Sequence, residues 1–474
     1  MAHYDLRSTP VVTPNPKFNL ASLLQQGFRD TDASDDVPIG DSANGDEEAS
    51  IDSRKVECEA PGDNLASQGP SCASFPVGIH AAGPTSPLEH LSQSDPGCAG
   101  KAHKRSKNHR NRQQKRDRTR QENFSDYRTR PNIQKNHVDS AEVVQTNLVT
   151  ENCSAAKAAF VGRNDKSGRK KPYELEDFLG EKAKLKFGYV PWNGMSRKNV
   201  TDSQGRRVAI LAGQPRDEDW PLLMKEAAEA LECRRPRLDL AKGDRVHRRG
   251  AFPAIPCGIS HGGGSMAPSN LHNNKANATV VQELSDLPCF KRLAGFASSV
   301  MASQAPKLYQ YYVEHLAELH SRHPHLKHLF SSSVFAAASY NFGPRTTCFK
   351  HKDFANLPFG LCAVTALGSF DPKRGGHLIL WELELVIEFP PGATILLPSA
   401  IIAHSNIPVQ SNETRYSFAQ YTAGSLFRWV EHGCQLDDDF YASLTQEELE
   451  AEQRKDDERW SHGLSMFEVG SNAL

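Results

Sequence analysis

The sequence predicts an α+β protein in which a double-stranded β-helix (jelly roll) with flanking helices follows a long disordered N-terminal region. Three observations support this fold class. The chain of 474 residues is 24% charged, and its mean hydropathy of -0.57 is low for a fully compact protein. Two amphipathic segments with helical spacing precede residue 331. Eight short β-type segments follow it, separated by turn signals and by no gap long enough for a helix.

Residues 1–165 have no sustained apolar period and are rich in polar residues, so we predict that they are disordered. The net charge of -1 hides a segregation of charge within them. Asp30 to Asp52 is acidic, whereas Lys101 to Arg120 contains ten Lys or Arg. The basic run is typical of a nuclear-import or polyphosphate-binding patch, and a solvated charged tail is the alternative. We therefore expect a nuclear protein.

The cysteine pattern and the hydropathy indicate in which compartment the protein works. The ten cysteines show no CxxC spacing and no secretory-type apolar segment occurs, which favours free thiols in a reducing intracellular compartment. No apolar run approaches membrane-spanning length, so we expect no membrane partner.

A folded domain is predicted over residues 173–435. The segment "RRVAILAGQP" predicts a strand, and "DEDWPLLMKEAAEALECRR" predicts a helix with Asp219 near the N-cap and Pro221 in the first turn. A loop region follows, and "APKLYQYYVEHLAELHSRH" predicts a second amphipathic helix.

The core of this domain is predicted over residues 331–430, and an acidic, partly helical tail over 436–474. In the tail, Thr445 and Glu448 have the spacing of a capping box at the start of an exposed helix. The β-type segments of the core are "SSVFAAASYNF", "TTCFKHKD", "FGLCAVTALGSF", "HLILWEL", "ELVIEF", "ATILLPSA", "IIAHSNIPV" and "TRYSFAQYTAGSLFRWV".

His351 and Asp353 stand one residue apart within these strands. Residues i and i+2 of a strand share a face, so both side chains should point the same way, and burying them is costly unless something binds them. The sequence has two further His-x-Asp tripeptides, at His3 and His137, which we interpret as accidental because they lie in the polar N-terminal part. Only the strand pair has a second histidine downstream in β-type sequence, His404, which lies 51 residues after Asp353.

Two histidines and one carboxylate are the ligand set of non-heme Fe(II) oxygenases, in which three positions stay open for co-substrate and dioxygen. If 2-oxoglutarate binds the iron, its far carboxylate needs a cation, and Arg415 could bind it in a bidentate manner with a hydrogen bond from Ser417. The sequence thus predicts Fe(II), 2-oxoglutarate and O2 as cofactors. Taken singly, each residue could be an ordinary surface, core or strand-edge residue. A rival histidine cluster in "HSRHPHLKH" is interpreted as a solvated helix end rather than a zinc site.

The stretches "YNFGPRTTCFKHKDFANLPFG" and "LLPSAIIAHSNIPVQSNETRYSFAQY" resemble the Fe(II)/2-oxoglutarate dioxygenase domain of the Tet/JBP family, in its fungal branch. The likeness continues upstream through "RRVAILAGQPRDEDW" and covers roughly residues 185–435. It differs from animal Tet enzymes in a shorter interval between His404 and Arg415 and in lacking their cysteine-rich region. The resemblance implies iron ligation by His351, Asp353 and His404. It also implies co-substrate contacts from Arg415 and Ser417 and a contact from Asn356 to the target base.

The family oxidises the methyl group of 5-methylpyrimidines in nucleic acid. The resemblance therefore implies a methylcytosine dioxygenase acting on DNA with methylated bases, which gives hydroxymethyl and further oxidised products. The target nucleotide must flip out of the duplex to reach a buried metal, and Arg248 or Arg249 could hold phosphates. Two alternatives stay open: a dioxygenase of the same fold that acts on a protein side chain or small molecule, and a non-catalytic nucleic-acid-binding adaptor.

Overall fold

The computed structural model describes residues 133–153, 155–164, 171–215 and 217–470, which all belong to one compact unit of the chain. The acidic segment and the basic run of the sequence lie outside the described residues, as does most of the region for which we predict disorder. No helix within the described ranges is long and apolar enough to cross a membrane.

The described residues form thirteen strands and eight α-helices. The strands are β1 (Glu142–Gln145), β2 (Gly188–Val190), β3 (Lys198–Thr201), β4 (Arg207–Gly213), β5 (Ala254–Ser260), β6 (Ser269–Asn270), β7 (Ala337–Asn341), β8 (Cys362–Ser369), β9 (Leu378–Leu380), β10 (Leu385–Ile387), β11 (Thr394–Leu397), β12 (His404–Asn406) and β13 (Thr414–Tyr421). The helices are α1 (Trp220–Arg234), α2 (Lys242–Arg245), α3 (Lys275–Asp286), α4 (Pro288–Gln304), α5 (Pro306–Arg322), α6 (Gly424–Glu431), α7 (Asp437–Ser443) and α8 (Gln446–Ser465).

Two β-sheets build the core. The larger has the strand order β1-β3-β4-β11-β8-β13-β7-β5-β6, and the smaller has the order β12-β9-β10-β2. From β7 onward the chain crosses repeatedly between the sheets: β7, β8, β11 and β13 belong to the larger sheet, and β9, β10 and β12 to the smaller. The segment between β7 and β8 also joins the edge of the smaller sheet, through an antiparallel bridge between His351 and His404. This alternation is consistent with the predicted jelly roll.

The two faces of β13 meet different surroundings. Tyr416 and Phe418 pack with Phe290 of α4 in an apolar cluster that includes residues of α1 and α3, so helices cover this face of the large sheet. Since side chains alternate along a strand, Arg415 and Ser417 point to the opposite face. There the apolar residues of both sheets pack against each other, which places these two polar residues between the sheets.

The strand at Arg207–Gly213 and the helices at Trp220–Arg234 and Pro306–Arg322 confirm the elements predicted for these segments. The loop region predicted between the two helices was wrong in part, because α3 and α4 lie within it. Both helices begin with a recognisable start signal that the sequence analysis did not use. The side chain of Asn274 accepts a hydrogen bond from the backbone N–H of Asn277 at the start of α3, and Pro288 is the first residue of α4.

Order begins earlier than residue 165, so the prediction of disorder was wrong for the described part of residues 133–164. Strand β1 pairs in parallel with β3 at the edge of the large sheet, from Glu142 opposite Lys198 to Gln145 opposite Thr201. Its backbone groups are satisfied by a strand that lies more than fifty residues further along the chain. A four-residue edge strand is too short to show a period in the sequence.

The C-terminal helix α8 begins as predicted. The Thr445 hydroxyl accepts from the backbone N–H of Glu448, and the Glu448 carboxylate accepts from the backbone N–H of Thr445. The prediction that the helix is exposed was wrong for one face, because Arg459 and Leu464 are buried. Leu464 packs with Phe160 and Phe359 in the core of the domain.

Candidate metal centre

Backbone pairing brings the three predicted metal ligands together. His351 and His404 lie directly opposite each other, and each donates its backbone N–H to the carbonyl of the other at 3.1 and 2.8 Å. The backbone N–H of Asp353 donates to the carbonyl of Ser399 at 2.9 Å. The loop after His351 is therefore tied to the turn that precedes His404. The three side chains come from these two separate segments, and the hydrogen bonds between the segments hold them close together.

Hydrogen bonds also orient the two imidazoles. Nδ1 of His351 lies 2.8 Å from the carbonyl oxygen of Phe349, and Nδ1 of His404 lies 3.1 Å from that of Ile402. A carbonyl oxygen only accepts, so Nδ1 of each ring carries a proton and Nε2 is the nitrogen that can bind a metal. This is the arrangement that metal-bound histidines use.

Both Nε2 atoms face the carboxylate of Asp353. Nε2 of His351 lies 3.7 Å from Oδ1 and Nε2 of His404 lies 3.6 Å from Oδ2. One ligand atom from each residue lies within 4.8 Å of the other two, and no other such group occurs in the described part of the chain. The donor set of two imidazole nitrogens and one hard carboxylate oxygen fits Fe(II).

The protonation states suit metal binding. Burial lowers the pKa of His351 well below its ordinary value, and the neighbouring His404 lowers it further. Burial by itself would raise the pKa of Asp353, but nearby positive charge, including that of Arg249 and Arg248, outweighs it and holds this pKa below its ordinary value. A neutral His351 and an ionised Asp353 are the forms that coordinate a cation.

Arg415 presents a buried positive charge between the sheets. The residue is 3% exposed, and burial lowers the pKa of its guanidinium. One terminal nitrogen donates to the carbonyl oxygen of Thr346 at 3.1 Å, while Nε has no hydrogen-bond partner among the described residues. The described residues also give it no carboxylate partner. A buried cation without a counter-ion is costly, so the site fits an anionic ligand.

Ser417 lies on the same face of β13, two residues along. Its oxygen accepts a hydrogen bond of 2.9 Å from Nδ2 of Asn341, which lies opposite it on β7. The hydroxyl proton of Ser417 can therefore be donated to another acceptor, such as a carboxylate near Arg415. Asn341 was not predicted as a site residue, because only the register of β7 and β13 places it there.

Asn356 lies beside the Asp353 loop. Its backbone N–H donates to the carbonyl of Asp353 at 2.9 Å, and its Nδ2 donates to the hydroxyl of Ser399 at 3.0 Å. Ser399 thus supports both residues, since its carbonyl already accepts from Asp353. Asn356 is half-buried and bonds to the loop and the turn that hold two of the predicted ligands.

Arg248, for which the sequence suggests a phosphate contact, lies next to the predicted iron ligand. Its terminal nitrogens lie 3.8 Å from Oδ1 of Asp353 and 2.8 Å from the carbonyl oxygen of Lys352. The guanidinium lies 5.3 Å from the centre of the Phe354 ring. Nothing in the local sequence "HRRG" indicates this position, because the contact spans more than one hundred residues.

The rival histidine cluster is not the solvated helix end that the sequence suggests. His320 and His328 are buried, and their rings stack with centres 3.7 Å apart. Burial lowers the pKa of His320 to about 4. His323 accepts a hydrogen bond from the indole of Trp429 at 2.9 Å. His320 and His328 therefore belong to the interior, whereas His323 is partly buried and His325 is exposed.

Comparison with known proteins gives a limited result. No family model matches the sequence, and no curated protein matches it. Among solved structures, the chain is similar to NgTET1 in complex with 5mC DNA, with a TM-score of 0.36, 14% identity, and coverage of 52% of this chain and 86% of that chain. It is also similar to a 2OG-Fe(II) oxygenase family oxidoreductase from Burkholderia pseudomallei, with a TM-score of 0.24, 17% identity, and coverage of 41% and 76%. A C-terminally truncated protein of Neurospora crassa in apo form gives a TM-score of 0.25, 11% identity, and coverage of 48% and 84%.

Proposed function

We propose that the protein is an Fe(II)/2-oxoglutarate-dependent dioxygenase of double-stranded β-helix fold, with DNA that carries 5-methylcytosine or a related methylated base as its substrate. The observation that carries the proposal is that a possible metal-binding group and a buried cation occur together between the two sheets. The group consists of His351, Asp353 and His404, with both Nε2 atoms facing the carboxylate. The cation is the guanidinium of Arg415, which lacks a counter-ion in the described structure.

In this proposal His351, Asp353 and His404 hold Fe(II), and Arg415 with Ser417 holds the far carboxylate of 2-oxoglutarate. The bound iron supplies the activation of dioxygen by which a methyl group is hydroxylated. The protein residues hold and orient the iron and the co-substrate. Backbone hydrogen bonds fix the two imidazoles, and the guanidinium of Arg415 sets the direction in which 2-oxoglutarate lies. The interior between the sheets keeps water away from this cation.

The choice of substrate rests on Asn356 and on the resemblance of the sequence to the Tet/JBP family. An amide can donate and accept together, which suits recognition of the edge of a flipped base. Here Nδ2 already donates to Ser399, which orients the side chain and leaves its oxygen as the acceptor. Nuclear localisation belongs to the same proposal, and its support is the basic run from Lys101 to Arg120.

The test is mass spectrometry of nucleosides after methylated DNA is incubated with the protein, Fe(II) and 2-oxoglutarate, beside a panel of histone peptides. We expect hydroxymethyl product in DNA and equimolar succinate, both lost in His351→Ala. Oxidised peptide with unchanged DNA would favour a protein hydroxylase. DNA binding that persists in His351→Ala without any turnover by the wild type would favour the adaptor.

A further inference from the structure

A short segment of residues 155–163, here called the strap, lies across the loop that carries Asp353. The strap folds back on itself through an antiparallel bridge between Ala155 and Gly162. The backbone N–H of Gly162 donates to the carbonyl of Phe354, the residue after Asp353, at 2.7 Å. A Cβ atom on Gly162 would overlap the carbonyl oxygen of Ala400 and lie 3.4 Å from the Cα of Phe354.

Gly162 therefore packs between the two parts of the chain that form the centre. On one side is the Asp353 loop, and on the other is the turn that leads into His404. Only a residue without a side chain fits this gap. The carbonyl of Phe354 accepts its hydrogen bond from the strap, so Gly162 fixes the backbone next to a metal ligand.

The other side of the strap is held by the C-terminal helix α8. The guanidinium of Arg459 lies 4.0 Å from the centre of the Phe160 ring, and one of its nitrogens donates to the carbonyl of Ala158 at 3.0 Å. Arg459 is 6% exposed and is itself fixed by Glu431 at 3.0 Å and by Glu452 at 3.4 Å. A cation so fully paired holds its position well.

We propose that Gly162 and Arg459 are positioning residues for the metal centre, and that the strap and α8 together hold the Asp353 loop against the turn before His404. The inference rests on the proposed metal centre. Its physical basis is that the groups around the ligands determine how well they are pre-oriented, and that their loss typically weakens metal binding by about 10–100-fold. In this proposal helix α8, which the sequence analysis places in a tail outside the catalytic domain, helps to position the metal ligands of that domain.

The test measures Co(II) binding to the full chain by visible absorption, with Co(II) as a probe for the site. The test variants are Gly162→Ala, whose new methyl group must push the two loops apart, and Arg459→Met, which keeps the helix but releases the strap. Gly470→Ala and Arg454→Met are matched controls, because a Cβ on Gly470 meets only one atom, at 3.9 Å, and Arg454 is exposed on the same helix. Arg459→Lys tests rescue, since it retains the charge over the ring.

We expect the Co(II) Kd to rise about tenfold or more in both test variants, to stay unchanged in the controls and to recover in part in Arg459→Lys. A purely structural role would lower the unfolding temperature and leave the Kd of the folded protein unchanged, and that result would overturn the inference. If Gly162→Ala does not fold, Arg459→Met decides alone. A failure of the proposed function is distinguishable, because then His351→Ala would bind Co(II) as well as the wild type does.

Discussion

Replacing Arg415 by Met is the sharpest test of the proposed co-substrate site. The substitution keeps much of the side-chain volume and removes the positive charge of the guanidinium. In the wild type, one terminal nitrogen of the guanidinium donates to the carbonyl oxygen of Thr346, so Nε and the other terminal nitrogen remain for a carboxylate. Removing one member of a buried, hydrogen-bonded ion pair costs about 3–5 kcal/mol. At about 1.4 kcal/mol per factor of ten, the Kd for 2-oxoglutarate should rise at least about 100-fold.

The assay is calorimetric titration of 2-oxoglutarate into Co(II)-loaded protein, together with thermal unfolding. Without 2-oxoglutarate, Arg415→Met should unfold at the same temperature as the wild type or higher, because it no longer buries an unpaired charge. With 2-oxoglutarate at about 100 times its Kd, the wild type should gain about 2.7 kcal/mol and become the more stable protein. Arg345→Met is the control, since Arg345 is exposed and lies beside Arg415 on the neighbouring segment. An unchanged Kd in Arg415→Met would refute this role.

Three further predictions concern Ser417, Gly424 and Glu431. Ser417→Ala should weaken 2-oxoglutarate binding by about tenfold or more in the same titration, because it removes one hydrogen bond to a charged carboxylate, and an unchanged Kd would remove Ser417 from the proposed site. Gly424→Ala should lower the free energy of unfolding in urea by about 1–3 kcal/mol or more, because its Cβ would overlap the carbonyl oxygen of Phe160; equal stability would contradict this packing. Burial alone would raise the pKa of Glu431, but His315, Arg459 and Tyr311 hold it at about 2, below its ordinary value of 4.5. Because the folded pKa is the lower one, the stability that it contributes is complete above pH 4.5 and is lost as the pH falls toward 2. Glu431→Gln should remove this part of the acid dependence of unfolding, whereas parallel curves for the two proteins would speak against it.

The parts of the fold that the sequence predicted are those with a local signal. The helix at Trp220–Arg234 has an apolar stripe and a proline in its first turn, and the strand at Arg207–Gly213 is a continuous apolar run. The spacing of His351 and Asp353 marked them as a pair, but the strand predicted to hold both was wrong, because His351 forms only a β-bridge and Asp353 lies in the loop after it. His404 and Arg415 were candidates by residue type and by their place in β-type sequence, but no local pattern shows that their strands lie beside His351.

The strap shows why other parts could not be predicted. Its residues have no period, and their order comes from contacts with Phe354, Gly424 and Arg459, which lie hundreds of residues away in the chain. Arg248 is similar, since a basic residue in a loop is ordinarily solvated. Such positions depend on the sum of many weak long-range contacts, which no local pattern encodes.

The sequence by itself determined which chemistry is available, since residue types, spacing and alternation already specify two imidazoles, a carboxylate and a guanidinium that face inward. Only the tertiary structure decided how these groups are held. Three sets of contacts join residues far apart in the chain. They are the backbone pairing of His351 with His404, the register that sets Asn341 beside Ser417, and the hydrogen bonds of the strap to Phe354 and Arg459. A hydrogen bond or a packing contact depends on distance in space, and folding alone sets that distance for residues separated along the chain.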